Sequence, residues 1–268
     1  FFDQMYDLQQ VVPRINLYGM NNQNCAYINH SVNSKNCYLC VDVVSEDVYY
    51  SKWVMHCRDC CDCYHMMDSE LCYQCLYSDN NHSSAFLYLS NECSDSAFLF
   101  DCNGCKDCLL CWNLRRKQYC IENEQLTKGE YERRKAELHL GSWQTQTQLY
   151  EQWLTILREK GIWKYQRQEQ CEGCTGDFMM KSKDVRDSYN VIESQDCAYC
   201  IDCAQLKDSQ DAYEPAFDSE LQFETHGCNN GKRLIGCNIC WYNDSLAYCD
   251  FCHNCSHCFG CVGLRRAE

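Results

Sequence analysis

Proline and glycine are scarce: the 268 residues include two prolines and twelve glycines. So thin a supply of turn residues excludes an ordinary loop-rich mini-domain. No run of about 18 apolar residues occurs, so no membrane span is expected. Positive charge is also short. The 24 Lys and Arg face 38 Asp and Glu, for a net charge of −14, which argues against a general affinity for nucleic-acid backbone or anionic membrane. There is no P-loop, nucleophile elbow or HExxH pair, so no catalytic constellation stands out. No signal peptide is visible either. The chain begins at Phe1 rather than Met and stops at Glu268. Both ends are expected to be missing, so the lack of a targeting segment carries no weight.

Cysteine is what the chain has in excess, at 28 of 268 residues, above the roughly 8–10% that marks a cysteine-built scaffold. Disulfides would imply an oxidising compartment, whereas thiolate metal sites fit the cytosol. Around Cys93–Cys111 the chain reads CSDSAFLFDCNGCKDCLLC. Cys102, Cys105, Cys108 and Cys111 fall at every third position, in phase with Cys93. Neither a helix of period 3.6 nor a strand of period 2 puts every third residue on one side. A narrow coil with flat sides of about three residues does.

The same phase organises the chain from Asn22. Units start at Asn22, Ser34, Ser45, Cys57, Ser69, Asn81, Cys93 and Cys105, one step being eleven residues and the others twelve. Positions 1, 4, 7 and 10 of each unit are small or apolar, apart from two Asn able to bond to backbone. Thirteen of the fifteen cysteines before residue 121 fall in these columns, where one in three would by chance. Asn24, Asn36, Asp47, Asp59, Asp95 and Asp107 share a column suited to tight corners. Tyr38, Tyr49, Tyr50, Tyr73, Phe86 and Phe98 point outward, where they can stack. Twelve residues at about 3.3 Å each make a perimeter of roughly 40 Å, so opposite walls nearly meet and only small inward side chains fit. Packing alone therefore accounts for a buried cysteine here.

The expected fold is mainly β: a narrow right-handed β-solenoid with ~12-residue rungs in two halves, plus a helical insert. Residues 1–13 form an N-terminal helix or cap that Pro13 stops. The first half spans 22–123 and the helical insert 124–169. Thr127 and Glu130 suggest a capping box in the insert. Trp143, Leu149, Tyr150, Trp153, Leu154 and Leu157 form a stripe that packs on the coil, ended by Gly161. The second half spans 171–268, with two looser units before Cys228 that need one inserted residue to stay in register. The tail CSHCFGCVGLRR aligns with CKDCLLCWNLRR at 105–116, as after a duplication. The Arg-rich segments ending both stretches are read as solvated or capping.

Serine and cysteine give each rung a meagre apolar core, so a further tie is expected. Zn²⁺ takes four thiolates at about 2.3 Å. Candidate ligands are Cys60, Cys63, Cys72 and Cys75; Cys102, Cys105, Cys108 and Cys111; Cys197 and Cys200; Cys237 and Cys240; Cys249, Cys252, Cys255, Cys258 and Cys261; and the off-phase pair Cys171 and Cys174. Paired CxxC spacing is the zinc signal. An iron–sulfur cluster is the rival cofactor, though no Cys-Pro completes a ferredoxin motif. A disulfide-stapled secreted coil with no metal is another. His253 and His257 are within reach of a cysteine site but read as surface residues.

The segments FFDQMYDLQQVVPR, SKNCYLC, CKDCLLCWNLRRKQYCIENE and CEGCTGDFMMKSKD resemble a family of uncharacterised Cys-rich proteins from candidate-phylum bacteria, commonly labelled CaiB/BaiF proteins. That label names CoA transferases, and nothing in these residues supports CoA chemistry. Such family members carry zinc-ribbon-like CxxC pairs ahead of the FF motif. The resemblance implies a fragment of a cytoplasmic, reduced, metal-binding protein. The expected role is a zinc-binding scaffold or interaction module with a protein partner; zinc storage is the alternative.

Overall fold

The computed structural model describes residues 1–13, 19–29, 31–55, 64–66, 74–192, 203–204, 214–215, 220, 223, 227–228, 231–239 and 241–264. At 42–43, 53–55, 64–66, 190, 192, 203–204, 214–215 and 228 it describes backbone alone. Among these residues the structure is mainly β, with three helices: α1 (Phe2–Val11), α2 (Lys128–Glu137) and α3 (Trp143–Glu159). No described helix is long and apolar enough to cross a membrane. The chain divides into two compact units, Asn16–Trp163 and Phe1–Ile15 with Lys164–Glu268.

In the unit Asn16–Trp163 the strands are short because the backbone turns at every third residue. Asn21, Asn24, Tyr27, Asn33, Asn36 and Leu39 all have φ between 52° and 56°. Each three-residue side sends its N–H groups three ways. Asn91 donates forward to the Cys102 carbonyl at 3.0 Å, and Glu92, at the corner, donates back to that of Asp79 at 2.9 Å. Cys93, which points inward, donates to the Asn81 Oδ1 at 2.8 Å. Strand partners run parallel and lie twelve residues apart, as in Ala85↔Ala97 and Ala97↔Leu109. The offset is eleven at Lys35↔Glu46 and Val41↔Lys52.

Asn and Asp suit the left-handed corners, but Phe86, Leu89, Phe98 and Leu110 occupy them too. Left-handed backbone costs an L-residue about 1–2 kcal/mol. The inter-layer bond made at each corner, such as Leu89 N–H to the Leu76 carbonyl at 3.0 Å, helps to offset that cost. Outer-face burial adds to it. The Phe86 and Phe98 rings stack at 4.5 Å with planes 6° apart, and Tyr150 and Trp153 of α3 lie against them. Leu109, Ile121, Tyr131, Leu149 and Ile156 complete this core, each worth about 1.5–3 kcal/mol when fully buried.

The helices begin and end where local chemistry dictates. Thr127 and Glu130 form a reciprocal capping box at the start of α2. The carbonyl of Ile156 accepts from Gly161 N–H at 2.8 Å after α3. A Cβ on Gly161 would lie 2.6 Å from the Phe100 ring, so this glycine also lets the chain pass close to the sheet. The expected stripe loses one member: Trp143 is 78% exposed, because at the first position of α3 it lies outside the covered face. Glu124–Gln125 pairs antiparallel with Gln118–Ile121 at the sheet's end.

In the other unit Gln168–Glu169, Gly176–Met180, Ser188–Ile192 and Cys203–Ala204 pair parallel in chain order. Glu214–Pro215 pairs with Gly227–Cys228 at an offset of thirteen. The helix α1 belongs here. Phe1 stacks on Phe259 at 5.3 Å, and Phe2 meets Tyr248 edge-on at 5.1 Å. Val12 ends the helix in extended conformation, as the residue before a proline should. A Cβ on Gly263 would come within 2.5 Å of the Val12 side chain.

Candidate thiol-lined site

The inward columns form a hydrogen-bond relay. In the unit Asn16–Trp163 several inward N–H groups turn to a side chain, because their neighbours already use carbonyls of the layers on either side. The inward side chain of the preceding layer accepts each. Ser90 N–H donates to Ser78 Oγ at 3.2 Å, Ser96 N–H to Ser84 Oγ at 3.3 Å and Cys102 N–H to Ser90 Oγ at 3.1 Å. Cys108 N–H donates to Ser96 Oγ at 3.0 Å. Sulfur can take this role as well, since Cys37 N–H donates to Cys25 Sγ at 3.4 Å. Inward serines and cysteines also donate to the carbonyl two residues before them, as Ser96 Oγ does at 2.7 Å and Cys108 Sγ at 3.3 Å, whereas Asn81 Nδ2 donates to the Ser90 carbonyl. A buried amide left without an acceptor costs about 1–3 kcal/mol. Serine, cysteine and asparagine in these columns therefore act as acceptors as well as small fillers, whereas Val48, Leu87 and Leu99 fill the same columns without that function.

One block of the relay is nearly all sulfur. Cys93, Cys102, Cys105, Cys108, Cys111 and Cys120 are each at most 1% exposed. Cys105 packs in one buried cluster with Cys102, Cys108 and Cys93. Cys111 and Cys120 belong to the same cluster. Neighbouring thiols, ahead of burial, shift the acidity of Cys93, Cys102, Cys105, Cys108 and Cys111, whereas burial comes first in raising Cys120. Donation from Cys102, Cys108 and Cys93 holds Cys105 far below the usual thiol range. Cys108 lowers Cys111 likewise. The neighbouring Cys105 thiol, and then burial, drive Cys93, Cys102 and Cys108 upward.

In the second unit Cys249, Cys252, Cys255 and Cys258 pack in another buried cluster. Cys237 and Cys255 are buried and Cys261 is half-buried. Cys171 and Cys174 are half-buried and, contrary to the off-phase expectation, each follows a left-handed corner at Gln170 or Gly173 and packs against the Val185 and Val191 core as inward residues do. Cys75 is fully buried. Cys60, Cys63, Cys72, Cys197, Cys200 and Cys240 lie outside the described residues. Cys93, Cys102, Cys105, Cys108, Cys111 and Cys120 are free thiols. No group of three or more His, Cys, Asp or Glu among the described residues is placed to hold a metal ion. His257 is exposed beside Asp244, 3.3 Å away.

Sequence reasoning noted that the columns were small but missed that their polar atoms accept the inward amides; recurrence of Ser and Asn among the cysteines was the available signal. It also missed the Arg115 guanidinium, which binds the buried Asp101 carboxylate at 2.9 Å. Asn113 Nδ2 donates to the same carboxylate at 2.8 Å.

The thiols give the protein an alkaline limit. Burial pushes Cys37 up to about 11 from an ordinary 9.0. The Cys249 thiol draws Cys252 down, but Cys255 and burial leave it at about 12. The folded state thus keeps protons that the unfolded chain releases once the pH passes 9.0. This stability is complete below that pH and is lost as the pH rises through 11 to 12. Urea midpoints are expected to fall on the alkaline side of pH 9; a flat profile would contradict the assignment.

No protein-family model matches the chain, and no curated protein matches it at a significant level.

Proposed function

We propose that the chain is a narrow right-handed β-solenoid acting as a rigid scaffold or interaction module, cemented by its inward relay. The twelve-residue parallel offset and the corner at every third residue support the architecture. The observation that carries the function is that Ser, Asn and Cys all serve as acceptors for inward amides. On this reading the cysteines hold the rod together as hydrogen-bonding groups without a metal, which suits a reducing compartment such as the cytoplasm. Tyr27, Tyr38 and Tyr50 form an exposed edge-to-face ladder, with centroids 5.6 and 5.8 Å apart. It offers amphipathic area to a protein partner.

Zinc held by thiolates is the second reading, favoured by the packing of Cys105 in one buried cluster with Cys93, Cys102 and Cys108. Removing metal separates the two. Protein treated anaerobically with a zinc chelator is expected to keep its melting temperature. Cys108→Ser is expected to stay within about 1 kcal/mol of the parent, because a hydroxyl can perform the same relay. If chelation and Cys108→Ser both caused collapse of the fold, the zinc reading would replace the relay.

A further inference from the structure

We infer that Tyr27, Leu39 and Tyr50 mark a docking site for an amphipathic helix of a partner protein, one that carries the apolar stripe of α3. This deepens the interaction-module reading and rests on it. The coil has one corner per layer between its second and third inward columns. The repeat places Tyr27, Leu39, Tyr50, Phe86, Phe98 and Leu110 in that one outward column, all with φ between 52° and 57°. Helices lie against this column. Phe86 meets Tyr150 of α3 at 5.8 Å, and Phe98 meets Trp153 at 6.3 Å. In the other unit Tyr248 holds the same place in its repeat and meets Phe2 of α1 at 5.1 Å. The stretch at Tyr27, Leu39 and Tyr50 continues, within its own unit, the column that α3 covers. There the column is open: these residues are 70%, 46% and 58% exposed, whereas Phe86, Phe98 and Leu110 are at most 8% exposed.

Geometry defines the occupant. Tyr150 and Trp153 are three residues apart on α3, and the rings they meet are one layer apart on the coil. Three or four residues of a helix rise about 4.5–6 Å, close to the ~4.8 Å between neighbouring strands. A helix therefore climbs one layer for each step of its stripe. The three open layers accept apolar residues at i, i+3 or i+4, and i+7. Two residues of an extended strand rise about 6.6 Å and fall out of step with the layers. The tyrosines are also held ready. Tyr27 and Tyr50 each pack edge-on against Tyr38, at 5.6 and 5.8 Å, so little side-chain freedom is left to lose on binding. Their hydroxyls serve polar groups flanking the stripe. The net charge of −14 favours a helix whose polar face is basic.

The probe is a fluorescein-labelled peptide with the sequence of residues 143–159 followed by three lysines, titrated with the whole chain and read by fluorescence anisotropy. Saturable binding and a gain of peptide helicity are expected. The same peptide with Tyr150→Ala and Trp153→Ala should not bind. In the chain, Tyr27→Asn/Leu39→Asn/Tyr50→Asn should weaken binding at least about tenfold. Asparagine already holds left-handed corners at Asn24 and Asn36, so this variant should keep the parent's circular dichroism. Should it lose its fold, Tyr27→Asn alone decides: about threefold weakening is expected, and none overturns the site. Absence of binding to the parent would overturn the proposal. So would equal binding by the triple variant, which would put the peptide on the seat of α3. Dimerisation of the parent that the triple variant abolishes would overturn it as well, by assigning the face to a second copy. The melting temperature of metal-free protein reports on the scaffold separately, so the docking site can fail while the rod stands.

Discussion

Asn81→Leu is expected to lower the stability of the unit Asn16–Trp163 by about 3 kcal/mol or more, since it strands two buried backbone groups at about 1–3 kcal/mol each and adds overpacking. Asn81 is 2% exposed. Its Oδ1 accepts the Cys93 N–H at 2.8 Å, and its Nδ2 donates to the Ser90 carbonyl at 2.9 Å. Leucine offers neither function. It also places a larger apolar group where opposite walls nearly meet. Asn81→Ser retains an acceptor, as Ser78 and Ser84 show in neighbouring columns, and should cost much less. Asn21→Ala provides the surface control: its bond to Asn33 is exposed, and its cost should stay near the roughly 1 kcal/mol of placing alanine at a left-handed corner. Amide exchange followed by mass spectrometry would place the loss in peptides from 74–126. Equal protection in Asn81→Leu and Asn21→Ala would remove the relay as the tie between layers.

Mainly-β structure was legible because cysteines every third residue fit no helix. Corners were legible where Asn and Asp marked them, as at Asn24, Asn36, Asp47, Asp95 and Asp107, all with positive φ. They were not legible at Tyr27, Leu39, Phe86 or Leu110, since local propensity forbids bulky side chains there and only the ladder to adjacent layers overrides it. The capping box at Thr127 was readable from four residues because it is a local device. The contacts of Phe1 with Tyr248 and Phe259 were not, because a hydrophobic stripe states that a partner exists without stating which. The metal expectation came from CxxC spacing, which fixes how sulfurs recur along the chain. It does not fix whether three or four converge in space, and spacing cannot separate a thiol that binds metal from one that accepts an amide. Cys108 and Ser96 show why: they hold equivalent inward places and make the same bond two residues back.

Gly176→Ala is the other change with a large expected effect, in the unit formed by Phe1–Ile15 and Lys164–Glu268. Gly176 has φ +136°, and a Cβ there would sit 1.9 Å from the Ser188 carbonyl oxygen and 2.9 Å from its carbon. The obstacle is backbone in the neighbouring strand, so no side-chain rotation relieves it. Gly176 and Ser188 are direct partners in that ladder. Alanine must either open the pairing or force a backbone angle L-residues avoid. Backbone strain of about 1–3 kcal/mol and a similar overpacking term put the cost near 4 kcal/mol. Gly129 in α2 is the contrasting case, with nothing within 4 Å of a Cβ. Gly129→Ala should raise stability by about 0.5 kcal/mol through helix propensity. Both substitutions add one methyl group, so composition cannot explain a difference between them. Exchange protection across 168–192 should drop in Gly176→Ala and stay unchanged in Gly129→Ala. If Gly176→Ala kept the parent's protection there, the close parallel approach of Gly176–Met180 to Ser188–Ile192 would be wrong, and the layered stacking of this unit would fail with it.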